Sequence, residues 1–202
     1  GNGDDQLLGG AHNDRLYGGR GDDEIFGDTG NDWINGGIGE DSLIGGDGED
    51  VIIGNRGNDR IDGGASRDVI FGGGENDIIY AGAGADTLNG GTGNDYILGG
   101  SSADLLVGGD GKDRLYGQVG NDRLFGGSGS DYLHGGAGDD VMTGNDGRDV
   151  FVFTEGADLI TDFDDRYDRL QIDSDLWIGS ASPSILLGRY GSIQHGDAVF
   201  DF

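Results

Sequence analysis

The sequence predicts an all-β fold, a parallel β-roll (a β-solenoid with two nonapeptide units per coil) with a non-repetitive C-terminal cap. Three observations predict it. An aspartate returns every nine residues from Asp5 to Asp149 without a slip in register. An apolar residue stands two places after each aspartate, and glycine, 47 of 202 residues, fills most of the places five, four and two before it. The unit is Gly-Gly-x-Gly-x-Asp-x-apolar-x, as in Gly90-Gly91-Thr92-Gly93-Asn94-Asp95-Tyr96-Ile97-Leu98. Self-similarity at a fixed period is the mark of a repeat architecture.

Within each unit the last three residues, such as Trp33-Ile34-Asn35, alternate outward, inward, outward as a short strand does. Position eight points inward. It is Leu7, Leu16, Ile25, Ile34, Leu43, Ile52, Ile61, Ile70, Ile79, Leu88, Ile97, Leu106, Leu115, Leu124, Leu133, Met142 and Phe151, apolar at every repeat. The first six residues reverse the chain, and glycine serves there because it enters positive φ at little steric cost. Position two is otherwise Asp28, Asn55, Gln118 or Asn145; aspartate and asparagine tolerate a left-handed backbone, so three of these four keep the rule. Position four departs from glycine at His12, Ser66, Glu75 and Ser102, which leaves a carbonyl in place and strains the turn. Two units make one coil, with two thin parallel sheets facing each other across the position-eight column. Eight and a half coils at about 4.8 Å give a rod of about 40 Å.

Collagen is excluded, since glycine does not fall at every third residue and proline occurs once. A flexible glycine-rich linker would not hold seventeen apolar residues in phase. The net charge of -27 and a pI near 4.1 argue against nucleic acid and anionic membrane surfaces, which attract basic proteins, and for cations. Without cysteine there is neither a disulfide framework nor a thiolate site. No run of residues is long and apolar enough for a membrane span, and no signal peptide is visible. The chain opens at Gly1, inside a repeat and without methionine, and is expected to be a piece of a longer protein.

Catalytic constellations are missing from the pattern. His12, His134 and His195 are scattered, with no His-Glu-x-x-His helix. Gly127-Ser128-Gly129-Ser130 is a turn fragment and not a serine elbow. Paired carboxylates such as Asp4 with Asp5 or Asp139 with Asp140 follow from the repeat, in which position five accepts any polar residue and position six is always aspartate. Stacked aspartates about 4.8 Å apart repel by about 0.9 kcal/mol in water and about 3.5 kcal/mol at an effective dielectric of 20. Summed along two edges, that repulsion exceeds the roughly 5–15 kcal/mol by which domains are stable. A cation must lie between the rungs, and a hard, oxygen-only site of carboxylates and turn carbonyls selects Ca²⁺ over zinc or copper.

These residues resemble the RTX family, secreted proteins whose glycine-rich nonapeptide forms a Ca²⁺-binding parallel β-roll, over residues 1–152. The resemblance implies that each ion lies between turns two units apart, held by the carbonyls of positions two and four with the aspartate of one turn, and by the carbonyls of positions one and three with the aspartate of the next. The first ion then uses Gly1, Gly3, Asp5, Gly18, Arg20 and Asp23. The carboxylate ligands implied are Asp5, Asp14, Asp23, Asp32, Asp41, Asp50, Asp59, Asp68 and Asp77, continuing through Asp86, Asp95, Asp104, Asp113, Asp122, Asp131, Asp140, Asp149 and Asp158. Position-one carbonyls come from Gly18, Gly27, Gly36, Gly45, Gly54, Gly63, Gly72, Gly90, Gly99, Gly108, Gly117, Gly126 and Gly135. Those of position two come from Gly1, Gly10, Gly19, Asp28, Gly37, Gly46, Gly64, Gly73, Gly82, Gly91, Gly100, Gly109, Gly127 and Gly136. Position three contributes Arg20, Thr29, Ile38 and Asp47. Position four contributes Gly3, Gly21, Gly30, Gly39, Gly48, Gly57, Gly84, Gly93, Gly111, Gly120, Gly129 and Gly138. Seventeen turns paired in this way make fifteen complete sites, and a sixteenth if Phe153, Glu155 and Asp158 act as a turn above Asp140. About fifteen Ca²⁺ ions nearly cancel the charge of -27.

Residues 153–202 are expected to cap the apolar end of the column, as solenoids require, with Phe151, Phe153, Phe163, Trp177 and Phe200 at or near it. This segment resembles the C-terminal region of proteins exported by type I secretion, and Gly196–Phe202 resembles a strand that is followed there by more strands. Asp162, Asp164, Asp165 and Asp168 resemble an EF-hand loop in acidity alone, because the turn glycine and the closing glutamate are absent. The resemblance implies an extracellular, secreted, non-catalytic module that folds on Ca²⁺ outside the cell. Its partners would be calcium, the type I secretion apparatus and upstream domains of the parent that carry any chemistry. The alternative is an adhesion or glycan-binding module using the outward residues Tyr17, Phe26, Trp33, Phe71, Tyr80, Tyr96, Tyr116, Phe125 and Tyr132.

Overall fold

The computed structural model describes residues 1–172 together with the short strands Ile185–Leu187 and Gly191–Ile193. Trp177, His195, Phe200 and the Gly196–Phe202 strand expected from the sequence lie outside the described residues. The chain winds as a parallel β-solenoid in which alternate strands join alternate sheets. The strands Gln6–Ala11, Glu24–Thr29, Ser42–Asp47 and their successors stack in a first sheet of ten; Arg15–Arg20, Trp33–Ile38, Val51–Arg56 and their successors stack in a second of eleven. The register is two nonapeptides throughout the repeat, as in Ile97 beside Leu115 and Leu106 beside Leu124. Like residues therefore lie on like residues from coil to coil.

Most strands are six residues long, twice the three-residue strand read from positions seven to nine. Pairing continues through positions one to three of the following unit, so Gly91 and Thr92 sit opposite Gly109 and Asp110. The turn proper is only positions four to six. The alternation explains this, because position one faces inward as position eight does, and the strand carries two inward residues, one large and one glycine. The column from Ile25 to Phe151 has no solvent exposure at any of its position-eight side chains, and Ala81, which replaces glycine at position one, is equally buried. Leu7 and Leu16, in the first coil, are only partly covered.

All eight non-glycine residues with positive φ stand at positions two and four: Asp28, Asn55, Gln118 and Asn145, and His12, Ser66, Glu75 and Ser102. Gln118, at φ 78°, has no short side chain with which to ease the left-handed backbone, a conformation that costs a non-glycine residue about 1–2 kcal/mol. Glu75 recovers part of that cost, since its carboxylate accepts the Gly57 N–H at 3.0 Å. Gln118→Gly is expected to stabilise the calcium-loaded protein by about 1 kcal/mol, raising Tm by about 2–4 °C. An unchanged or lower Tm would show that the turn carries no such strain.

The column ends in aromatic residues. Phe153 and Ile160 are buried, Phe163 nearly so, and the Phe151 and Phe163 rings lie 6.1 Å apart. Leu159–Ile160 joins the second sheet with Met142 beside Ile160, and Arg169–Ile172 joins the first, but with Phe151 beside Leu170, a step one residue longer than two units. Asp168 slips with it.

Candidate metal centres

From Asp23 to Asp149 each ladder aspartate divides its two oxygens between two tasks. One, Oδ1, accepts the backbone N–H of the aspartate one coil below: Asp5 to Asp23 at 2.8 Å, Asp32 to Asp50 at 2.7 Å, Asp131 to Asp149 at 2.9 Å and Asp140 to Asp158 at 3.1 Å. The other, Oδ2, is buried and has no hydrogen-bond partner in any of the sixteen rungs from Asp14 to Asp149. From Asp23 to Asp158 these residues are no more than 3% exposed. Even at about 1 kcal/mol for each orphaned oxygen, sixteen of them would offset the whole stability margin of about 5–15 kcal/mol.

Where Oδ2 points explains the first glycine of the unit. A Cβ added at Gly18 would meet Asp23 Oδ2 closer than real Cβ atoms approach any oxygen, and the same holds at Gly54 with Asp59 and at Gly135 with Asp140. Position one is empty so that a carboxylate can turn into the edge. The Gly3 N–H donates to Arg20 O at 2.6 Å, and the Gly21 N–H to Ile38 O at 2.9 Å. Positions four and three of successive coils are thus adjacent, each of these carbonyls keeping a second lone pair.

Among the described residues no three His, Cys, Asp or Glu side chains converge, so a cation at these edges would rest on backbone carbonyls with one or two carboxylates. Orphaned, buried, negatively charged oxygens beside turn carbonyls fit a hard cation of the Ca²⁺ type. The carboxyl groups carry the same message in their protonation. Burial, the largest cause, pushes Asp59, Asp68, Asp104, Asp131 and Asp158 up to about 7 and Asp77 to about 8. Asp50, Asp95, Asp140 and Asp149 rise to about 6 by the same desolvation. In each, the backbone N–H from the coil below opposes the rise, and a neighbouring carboxylate adds to it.

Raised carboxyl groups give the ion-free roll a stability that is fully present below about pH 4, the ordinary aspartate range, and is lost as pH rises through 6–8. In EDTA, β signal by circular dichroism should therefore increase from pH 8 to pH 5. With calcium the sign reverses, because the ligands must be deprotonated, so the Ca²⁺ midpoint should rise over the same interval. Two pH profiles of the same sign would refute this account of the ladder.

A second ladder was not legible in the sequence. All nine asparagines and aspartates at position five, Asp4, Asn13, Asp22, Asn31, Asn58, Asn76, Asn94, Asn121 and Asp139, accept the backbone N–H of position five one coil above. Position five is therefore selective: the short amide or carboxylate reaches a neighbour that Lys112 or Ala85 does not. The signal available was the excess of Asn and Asp in that column.

The acidic cluster near the end does not converge on a site. Asp162 accepts the N–H groups of Gly144 at 3.0 Å and Asn145 at 2.7 Å. Asp168 continues the ladder by accepting the Asp149 N–H at 3.0 Å, and its second oxygen takes the Asp164 N–H at 2.8 Å. Asp164 is held by Arg166. The outward aromatics are spread over both sheets and largely contact one another or arginine: Tyr17 with Trp33 at 4.8 Å, Tyr96 with Tyr116 at 5.3 Å, Tyr116 with Tyr132 at 5.6 Å, and Arg60 over Tyr80 at 4.7 Å. His134 lies 5.7 Å from Tyr116, and His12 is exposed.

Comparison with family models finds the RTX calcium-binding nonapeptide repeat (4 copies) on residues 1–34, 26–61, 35–70, 44–79, 62–97, 89–124, 98–133 and 125–160. A search of curated proteins finds no match.

Proposed function

Because the chain belongs to the RTX calcium-binding nonapeptide repeat family, we propose that its Ca²⁺-binding roll is a folding switch for a larger secreted protein, extended where calcium is scarce and folded outside the cell. The observation that carries this reading is the run of sixteen buried Oδ2 atoms without a partner. Bound between coils, Ca²⁺ supplies positive charge and accepts oxygen lone pairs. The chain's residues do the rest. Asp23 and its equivalents hold one oxygen on the coil below and turn the other into the edge, while the carbonyls of positions one to four supply neutral ligands. A set made only when two coils are adjacent binds the folded state and not the unfolded one, so ion binding and folding are one event.

The repeat is a structural calcium-binding module, and any catalytic activity is assigned to domains outside this chain. Residues 153–202 act as the cap and as the segment associated with type I secretion. The alternative, glycan adhesion through the aromatics, is less favoured, since most of those rings are occupied with each other or with arginine. Calcium content by equilibrium dialysis and elemental analysis should approach about fifteen ions per chain with affinities of about 10⁻⁴–10⁻³ M. Fewer than about ten would defeat the assignment of every paired turn as a site.

A further inference from the structure

Along one edge of the roll the charges are sorted. The exposed position-five residues beside the first sheet are acidic at Asp4, Asp22 and Glu40, amides at Asn58, Asn76 and Asn94, then Lys112, Ser130 and Arg148. The opposite edge mixes Glu49, Arg67 and Asp139 among asparagines and alanines in no such order. At the basic end lies an open groove of about 630 Å³ lined by Tyr96, Lys112, Arg114, Tyr132 and Arg148 together with the buried ladder aspartates Asp95, Asp113 and Asp131. Among the described residues the side-chain ion pairs are Arg67 with Glu49 and Arg166 with Asp164, so these three cations have no carboxylate of their own.

We propose that two copies of the chain associate side by side and antiparallel along this edge, about a two-fold axis through the coil of Asn76 and Ile78. Such an axis is self-complementary, each residue meeting the one equally far on the other side of the centre. Counting coils outward from Asn76, Asp4 faces Arg148, Glu40 faces Lys112, Asn58 faces Asn94 and Asn76 faces its own copy. In the adjoining outward row Arg60 faces Tyr96, and Ile78, 39% exposed, meets Ile78. Asp22 faces Ser130, and in the outward row Glu24 faces Tyr132 and Arg114 faces Ser42, so no like charges meet, whereas parallel association would set Asp4 on Asp4 and Arg148 on Arg148. The strip is about 38 Å long and two residues wide, less than a permanent dimer buries. The association is therefore weak and salt-sensitive. It belongs to the calcium-loaded protein, in which the ladder aspartates are neutralised and the edge charges dominate, and in that respect rests on the calcium reading.

Sedimentation velocity in saturating calcium at low salt should show dimer at about 100 μM, falling to monomer in 1 M salt, where screening acts beyond about 3 Å. Lys112→Glu reverses two pairs and should weaken association about a hundredfold, as should Glu40→Lys. The double variant K112E with E40K restores both pairs with signs exchanged and should recover the dimer. Calcium titrations by circular dichroism, used to bring each variant to saturation before sedimentation, separate this test from that of the calcium sites. A wild-type monomer at low salt overturns the proposal, and binding of a polyuronate to that monomer would assign the basic end to acidic saccharides instead. A double variant no tighter than the single ones overturns it too.

Discussion

Removing calcium at neutral pH should unfold the whole roll. In EDTA the β signal is expected to vanish, and the radius of gyration to grow from about 17 Å toward about 48 Å, the values for a compact and an unfolded chain of this length. The coils form one stack, so the ions cannot be lost singly without consequence. An Oδ2 without a cation is left buried and without a partner between two coils, as a bare charge or at the cost of taking up a proton, and the apolar column offers only one large side chain per repeat unit against it. Re-adding millimolar calcium should restore the signal, with a midpoint set by the ion and not by time. Small-angle scattering with and without EDTA reads the effect directly; an unchanged radius would mean that the ladder is stable by itself.

Deleting residues 153–202 should raise the calcium midpoint sharply or abolish folding, while deleting residues 1–17 should cost only the sites it contains. The described part of this segment places Phe153, Ile160 and Phe163 in the core, with the Phe163 ring against Phe151. Four such side chains at about 1.5–3 kcal/mol each approach the whole margin of a small domain. The other end presents only Leu7 and Leu16, partly covered, with Leu8 66% exposed. In a one-dimensional stack each coil draws its stability from a formed neighbour, so the better covered coils around Phe151 seed folding and the less covered coils of Leu7 and Leu16 fray. Circular dichroism is the readout, because Trp177 leaves with the cap. Equal midpoint shifts for the two deletions would deny the cap this role.

The nonapeptide period, the inward column from Leu7 to Phe151 and the positive φ of positions two and four were legible in the sequence, because each is a property of a residue and its chain neighbours. Apolar side chains two places after a fixed aspartate must share a face, and a glycine-rich turn replaced at position two only by Asp28, Asn55, Gln118 and Asn145, and at position four only by His12, Ser66, Glu75 and Ser102, announces its backbone. Only the tertiary structure decided what passes between coils. The doubled strand length, the Oδ1 spent on the coil below, the Oδ2 left bare and the bond from Asn76 to the next coil's backbone all depend on contacts between residues two units apart. So do the longer step at Asp168 and the sorting of charge along one edge. A period states which residues recur; it does not state which of their atoms meet, because that depends on how far one coil is displaced over the next, and the pairing of parallel strands sets that displacement.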